Sequence, residues 1–182
     1  MANNEISNSY KVAFGGIVAA VSLASMVLTG FIPVGTYACP AFAGILLAAI
    51  VIELGARPAW AVFTAVALVS IVFVGDKEAA LYYMFFFGFY PVIKAKLETL
   101  SNVWAQRGLK LAVFNACMLA VFYLGVSLFS VPKESFTVFG VYLPLVFLLL
   151  GNIFFVIYDI AVTRLITAYI QVWRKKLFKG VH

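Results

Sequence analysis

Apolar runs separated by short polar, proline or glycine stretches divide the chain into six segments. A helix needs about 20 mostly apolar residues to cross the hydrocarbon of a bilayer. The six segments cover about residues 12–32, 40–54, 58–74, 79–97, 109–131 and 141–166, and the second is short. Breakers such as Pro33, Gly55, Gly75 and Pro132 support the boundaries. The pattern predicts an all-α membrane protein, a six-transmembrane-helix bundle forming a single integral-membrane domain over residues 1–182.

Composition agrees with this interpretation. Of the 182 residues, 65% are hydrophobic and 11% are charged, and the mean hydropathy is +1.07. A soluble domain carries about 25% charged residues, so this chain has too few to coat a water-soluble particle. No cluster of positive charges precedes the first apolar run and no clear cleavage site follows it. We therefore expect a retained membrane helix there rather than a signal peptide.

The lysines and arginines are distributed unevenly between the two sides of such a bundle. With six crossings, the side that holds both termini carries eleven of the thirteen basic residues, and the other side carries only Lys77 and Lys133. The eleven are Lys11, Arg57, Lys94, Lys96, Arg107, Lys110, Arg164, Arg174, Lys175, Lys176 and Lys179. Cytoplasmic loops carry the excess of positive charge in membrane proteins. Both termini are therefore predicted to be cytoplasmic.

The net charge of +6 follows from this basic face. Basic residues at a cytoplasmic face meet anionic membrane lipid, so no nucleic acid partner is predicted. The segment 164–182 places apolar residues on one helical face and a basic cluster at its end. It is predicted to leave the bilayer as an amphipathic tail, lying on lipid or docking to a cytoplasmic partner.

Motifs for chemistry are missing from the sequence. It contains no P-loop, no HExxH, no GxSxG and no paired intramembrane carboxylates. The only histidine is His182, and Cys39 and Cys117 are placed too far apart in depth for a disulfide. We predict no enzyme, no metal and no cofactor. Asn115, Asn152 and Asp159 are polar residues at membrane depth, and the two asparagines either join helices or line a cavity floor.

The stretch GDKEAALYYMFFFGFYP, residues 75–91, sets three charges beside seven aromatic residues. Asp76 is predicted to cap a helix, with Glu78 in its first turn. Tyr82 and Tyr83 are expected at headgroup level, and Gly88 with Pro91 allows a bend. Deeper rings either face lipid or form the walls of a pocket for a flat, partly aromatic ligand.

Two further segments carry candidate residues. The connection 30–42 contains Pro33 and Pro40 and offers Thr36 and Tyr37 as polar groups. It is expected either to dip back over the bundle or to form a plain surface loop. The first helix carries a row of small residues. Such a row permits close helix approach, either inside the protein or to a partner. The row consists of Gly16, Ala20 and Ala24.

In layout the whole chain resembles the substrate-binding S components of energy-coupling-factor transporters. Ala20 to Ala24 is similar to that family's AxxxA motif on the first helix. The resemblance implies a bacterial plasma-membrane protein that captures a vitamin-like molecule from outside and depends on a T-like transmembrane subunit with ATPases. The motif would meet this subunit. The ligand candidates are Thr36, Tyr37, Asp76, Lys77, Tyr82, Tyr83 and Asn152, and the partner candidates are Gly16, Ala20 and Ala24. The alternative is a membrane scaffold similar in layout to MreD-type cell-shape proteins.

Overall fold

The computed structural model describes residues 7–32, 34–128, 137–138, 141–142 and 144–173. Five helices among these residues are long and apolar enough to cross a membrane. Their spans are Asn8–Phe31, Gly35–Leu54, Ala56–Phe73, Val103–Ser127 and Leu148–Val172. They confirm the prediction of a helical multi-pass membrane protein. The count of six crossings and the side of the termini remain predictions.

The chain divides into two compact units, residues 1–135 and 136–182, called here the N-terminal and C-terminal units. The single domain over residues 1–182 stays a prediction. The N-terminal unit contains α1 (Asn8–Val27), α2 (Gly35–Leu54), α3 (Ala56–Phe73), α4 (Lys77–Tyr82), α5 (Tyr90–Leu97) and α6 (Val103–Leu128). The C-terminal unit contains β1 (Thr137–Val138) paired antiparallel with β2 (Val141–Tyr142), then α7 (Pro144–Ala168).

The second helix corrects one prediction. α2 begins at Gly35 and has 20 residues, so the short span starting at residue 40 and an irregular connection reaching residue 42 are wrong. A 3₁₀ turn, Leu28–Phe31, ends α1, and the Gly35 N–H then donates to the carbonyl of Ile32 at 2.8 Å. A Cβ at Gly35 would lie 2.7 Å from the Thr29 carbonyl oxygen, so this tight turn requires glycine. Pro40 lies inside α2, where neighbouring groups can compensate for its missing N–H.

Two other helix boundaries differ from the predicted ones. α6 begins at Val103 rather than near residue 109, which places Arg107 and Lys110 within the helix. Residues 141–142 form β2 instead of beginning the last helix. After α7 the chain continues as one π-helical stretch, Tyr169–Trp173. The basic cluster of the predicted tail, residues 174–182, lies outside the described residues.

The fourth predicted segment is helical but interrupted. α4 passes into a π-helical stretch, Tyr83–Phe87, and α5 begins at Tyr90. At Gly88, where a bend was expected, a turn separates the π-helical stretch from α5, and the backbone there lies close to α3. A Cβ on Gly88 would lie 2.6 Å from Cδ2 of Phe63 and 2.8 Å from the Tyr83 carbonyl oxygen. The close approach therefore depends on the absence of a side chain at position 88.

Residues 77–94 are all buried or partly buried in the N-terminal unit, whereas residues 95 and 96 are exposed. One core cluster joins four helices to Tyr83 and consists of Met26, Ala43, Val66, Ala67, Val74, Ala79 and Tyr83. A second cluster includes Leu47, Ala59 and Val92, and a third joins Leu81 and Tyr82 to Val121 of α6. Among the seven aromatic residues between 82 and 90, four are buried and three are partly buried. Tyr82 and Tyr83 are both buried within the protein, and their expected position at headgroup level stays a prediction.

Gly88→Ala is expected to destabilise the N-terminal unit by about 1–3 kcal/mol, because the methyl group would overlap the Phe63 ring and the Tyr83 carbonyl. The measurement is thermal unfolding of the purified protein in detergent. Gly108→Ala is the matched control, since no atom lies within 4 Å of its added Cβ. The control should be neutral or slightly stabilising, as expected for alanine in a helix. Equal effects of the two changes would contradict the close approach at Gly88.

Candidate functional site

Five of the seven predicted ligand residues come together where α2 begins, α3 ends and α4 begins. With Glu78 they form what is called here the helix-end cluster. Its members are Thr36, Tyr37, Asp76, Lys77, Glu78 and Tyr82. Consecutive helices alternate in direction, so these three helix ends meet at one end of the N-terminal unit.

Asp76 connects two helices through its two carboxylate oxygens. Oδ1 accepts from the backbone N–H of Ala79 at 3.0 Å, which confirms the predicted cap of α4. Oδ2 accepts from the hydroxyl of Thr36 in α2 at 2.7 Å. Hydrogen bonds to a charged group contribute about 1.5–3 kcal/mol. Asp76 therefore fixes the start of α4 against the start of α2.

Glu78 makes a second link between the same helices. Its Oε1 accepts from the hydroxyl of Tyr82 at 3.2 Å and from that of Tyr37 at 3.3 Å. The two tyrosine rings pack with centroids 5.1 Å apart and planes inclined by 52°. One carboxylate thus holds a pair of rings that come from α2 and α4.

Lys77 is directed toward the end of α3. Its Nζ donates to the carbonyls of Ile71 at 2.8 Å and Val74 at 2.9 Å. The last carbonyls of a helix have no partner within the helix, and a cation there is favoured by the helix dipole. Lys77 supplies both the hydrogen bonds and the charge. It therefore acts as a C-terminal cap for α3.

The helix-end cluster is a set of groups that bond to one another and to nearby backbone. Each of its three charged residues completes a helix end, accepts from another helix or does both. The arrangement favours a clamp holding α2, α3 and α4 together over a rim of charges directed at a ligand.

The other two predicted ligand residues lie elsewhere. Tyr83 is fully buried in the core cluster of the N-terminal unit. Asn152 belongs to the C-terminal unit, where its Nδ2 donates to the Leu148 carbonyl at 2.8 Å. Asn115 makes the equivalent bond to Leu111 in α6. Each asparagine therefore bonds to its own helix, one turn back.

The row of small residues on α1 faces away from the interior of the N-terminal unit. Gly16, Ala20 and Ala24 are all exposed, whereas Val18 and Ser22 belong to the buried face. No atom lies within 4 Å of a Cβ placed on Gly16. Packing inside the N-terminal unit is therefore not the role of this row.

The opposite end of the N-terminal unit holds an ionic group that the sequence did not single out. Lys94 of α5 and Lys110 of α6 are both buried, and each places Nζ 2.7 Å from Oε1 of Glu98. Burial acts to raise the pKa of the Glu98 carboxyl, but the hydrogen bonds from Lys110 and Lys94 outweigh it and hold the pKa below its usual range. The ionised Glu98 carboxylate stabilises the folded state through these bonds, and this stabilisation is complete above the unfolded-state pKa, near 4.3. It is lost as the pH falls through the lower folded-state value.

Two buried serines were also missed. The side chains of Ser22 in α1 and Ser70 in α3 are buried, and, like Tyr83, neither hydroxyl has a hydrogen-bond partner within the described part of the chain. An unsatisfied buried hydroxyl costs about 1–3 kcal/mol. The helical period could have placed Ser22 on the buried face of α1 with Val18 and Met26, but apolar residues surround this helix on all sides and hide the pattern.

Comparison with protein-family models, with curated proteins and with solved structures finds no match for this chain. Across residues 7–32, 34–128 and the described parts of the C-terminal unit, no three or more His, Cys, Asp or Glu residues are grouped so as to hold a metal ion.

Thr36→Val is expected to cost about 1–2 kcal/mol of stability, and Asp76→Ala about 2–3 kcal/mol, because Asp76 also loses the cap of α4. In the Asp76→Ala background, Thr36→Val should cost little, giving a coupling of about 1 kcal/mol or more. Thermal unfolding of the two single variants and the double variant measures this coupling. Thr64→Val, whose hydroxyl bonds only its own helix among the described contacts, is the control and should add independently to Asp76→Ala. Additive effects of Thr36→Val and Asp76→Ala would contradict the clamp.

Proposed function

We propose that this protein is the membrane-embedded substrate-binding subunit of an uptake transporter, similar to the S components of energy-coupling-factor transporters. In this role it captures a small molecule from outside, and a separate T-like subunit with ATPases drives release to the cytoplasm. The observation that carries the proposal is the exposed row of small residues, Gly16, Ala20 and Ala24, on a helix whose opposite face is buried. Such a row lets a partner helix approach the backbone closely.

Six crossings are part of the proposal. Residues 77–97 rise roughly 30 Å at 1.5 Å per residue, which is enough to cross the hydrocarbon. Their interruption at Tyr83–Phe87 and Gly88 is compatible with membrane depth, because irregular backbone is tolerated there when protein buries it. Counted with the five long apolar helices, this segment is the sixth crossing.

Orientation follows from the basic residues. In the N-terminal unit, one end contains the start of α1, the α2–α3 junction and the α5–α6 junction. The basic residues there are Lys11, Arg57, Lys94, Lys96, Arg107 and Lys110. At the other end, Lys77 is the basic residue within the described part of the chain. The excess of Lys and Arg supports a cytoplasmic position for the first end, which places the helix-end cluster outside.

The topology can be tested with single cysteines in a Cys39→Ala, Cys117→Ala background. Gly75→Cys, an exposed position between α3 and α4, should react with a membrane-impermeant maleimide in intact cells. Ser101→Cys, an exposed position between α5 and α6, should react only after lysis. The reverse result would contradict the orientation, and labelling of both in intact cells would contradict the crossing by residues 77–97.

The partner face can be tested with Ala20→Leu. The larger side chain should prevent close helix approach and weaken capture of the T-like subunit and its ATPases by about tenfold or more. Capture is measured by co-purification from the native membrane with identification by mass spectrometry. ATP-dependent uptake is measured alongside it. Ala65→Leu, at an exposed position on α3, is the matched control and should leave both unchanged. Both variants change exposed positions, so their unfolding temperatures should stay close to wild type.

A second candidate is a membrane scaffold similar in layout to MreD-type proteins. The observation that favours it is the helix-end cluster, whose groups bond to one another and to backbone. A scaffold would co-purify with other proteins but would have no ATPase partner and no uptake activity. Uptake that continues unchanged with Ala20→Leu would contradict the proposed partner face.

A further inference from the structure

The hydroxyls of Ser22, Ser70 and Tyr83 stand apart from the other polar groups of the N-terminal unit. Their side chains are 1%, 0% and 0% exposed, and among the described residues none of the three hydroxyls has a hydrogen-bond partner. They come from three different elements: α1, α3 and the π-helical stretch Tyr83–Phe87. Three buried hydroxyls without partners in one unit call for a shared explanation, because buried polar groups are otherwise nearly always bonded.

The two serines lie at about the same depth. α1 and α3 run in the same direction, because α2 connects them as an antiparallel helix. Gly15 of α1 faces Val62 of α3, with 3.4 Å between its Cβ position and Cγ2 of Val62. Ser22 and Ser70 follow these two residues by about two helical turns each. Each serine also lies in the centre of the buried face of its helix.

Tyr83 contributes to the same region. It belongs to the same core cluster as Met26, one turn after Ser22 on α1, and Ala67, one turn before Ser70 on α3. Residues one turn apart share a helix face. Ser22 and Ser70 therefore border the cluster to which Tyr83 belongs.

We propose that Ser22, Ser70 and Tyr83 form a binding site for one small neutral molecule that carries both a hydrogen-bond donor and an acceptor, such as an amide. The inference rests on the proposed function and names its substrate class. A hydroxyl offers one donor and two acceptor positions, so three hydroxyls can bond both edges of an amide group.

The surroundings determine the charge and size of this molecule. The side chains of the cluster and those packed on it are uncharged, and Asp76 and Lys77, which bond the backbone of Ala79 and Val74 at its edge, are engaged in the helix-end cluster. An unpaired ion among the side chains of the core cluster would be strongly unfavourable. Several of these neighbours are small: Ala19, Ala43, Ala67 and Ala79. Small side chains favour a compact guest between the helices. A neutral, compact molecule satisfies both conditions.

The backbone at Tyr83 supports a functional site. Tyr83 begins the π-helical stretch, and Gly88 N–H closes it by donating to the Tyr83 carbonyl at 2.8 Å. π-helical turns inside α-helices occur frequently at functional sites.

Neutral amides and their charged counterparts test the site. Acetamide and benzamide are compared with acetate and benzoate by thermal unfolding of the purified wild-type protein. At least one amide should raise the unfolding temperature by about 2–4 °C, saturably, once it exceeds its dissociation constant about tenfold, and its carboxylate should not. The absence of a shift with both amides would leave water as the partner of the hydroxyls and overturn the proposal.

Variants locate the effect. Tyr83→Phe and Ser70→Ala remove single unbonded hydroxyls, so each variant should fold at least as stably as wild type and lose the shift given by the amide. Thr64→Ala, whose hydroxyl bonds the Trp60 carbonyl on the exposed side of α3, should keep the shift. A shift that survives in both Tyr83→Phe and Ser70→Ala would overturn the site.

The test separates the site from the proposed function. Amide binding by the purified protein without ATPase capture or uptake would refute the transport role and keep the site. Capture and uptake without amide binding would keep the transport role and refute the site.

Discussion

The first and last turns of a helix leave backbone N–H and C=O groups without partners inside the helix, and other groups of the chain complete them. This constraint orders the N-terminal unit. Asp76 meets the constraint by bonding α4 and Thr36 at once, and Lys77 meets it at the carbonyls of α3. The densest charge cluster of the chain therefore lies where three helix ends need completion. Hydrogen bonding at this point fixes the relative positions of α2, α3 and α4.

The aromatic run follows from the same arrangement. Once Asp76 starts α4, the next residues descend between α2, α3 and α6, and large rings fill the space. Phe63 of α3 packs on both Tyr83 and Phe89, with centroids 6.0 and 5.9 Å apart. Glycine at position 88 permits this contact. The charged and the aromatic residues are adjacent in the sequence because Asp76 starts α4 and the rings that follow pack it against the neighbouring helices.

The sequence was sufficient for features that depend on local composition. Five long apolar helices, the cap at Asp76 and an interruption of the helix near Gly88 are present. It was insufficient where tertiary contacts decide: Thr36 and Asp76 are 40 positions apart, and nothing local pairs them. Pro40 was treated as a boundary, although a membrane helix can contain a proline. The buried faces of α1 and of the aromatic run could not be predicted from the sequence. In a chain that is surrounded by lipid, apolar residues occupy the lipid-facing sides of a helix as well as the buried one.

The distinction between satisfied and unsatisfied polar groups changes where a ligand is expected. Charged residues near a bundle end suggest a binding rim, and Asp76 and Lys77 were candidates for this reason. The carboxylates of Asp76 and of its neighbour Glu78 already accept hydroxyls from α2 and α4, so a ligand would have to compete with bonds that hold the helices together. The hydroxyls of Ser22 and Ser70 carry no such bond within the described residues. A ligand bonding there would gain hydrogen bonds without breaking those of the clamp, which is why the proposed site lies in the interior of the bundle.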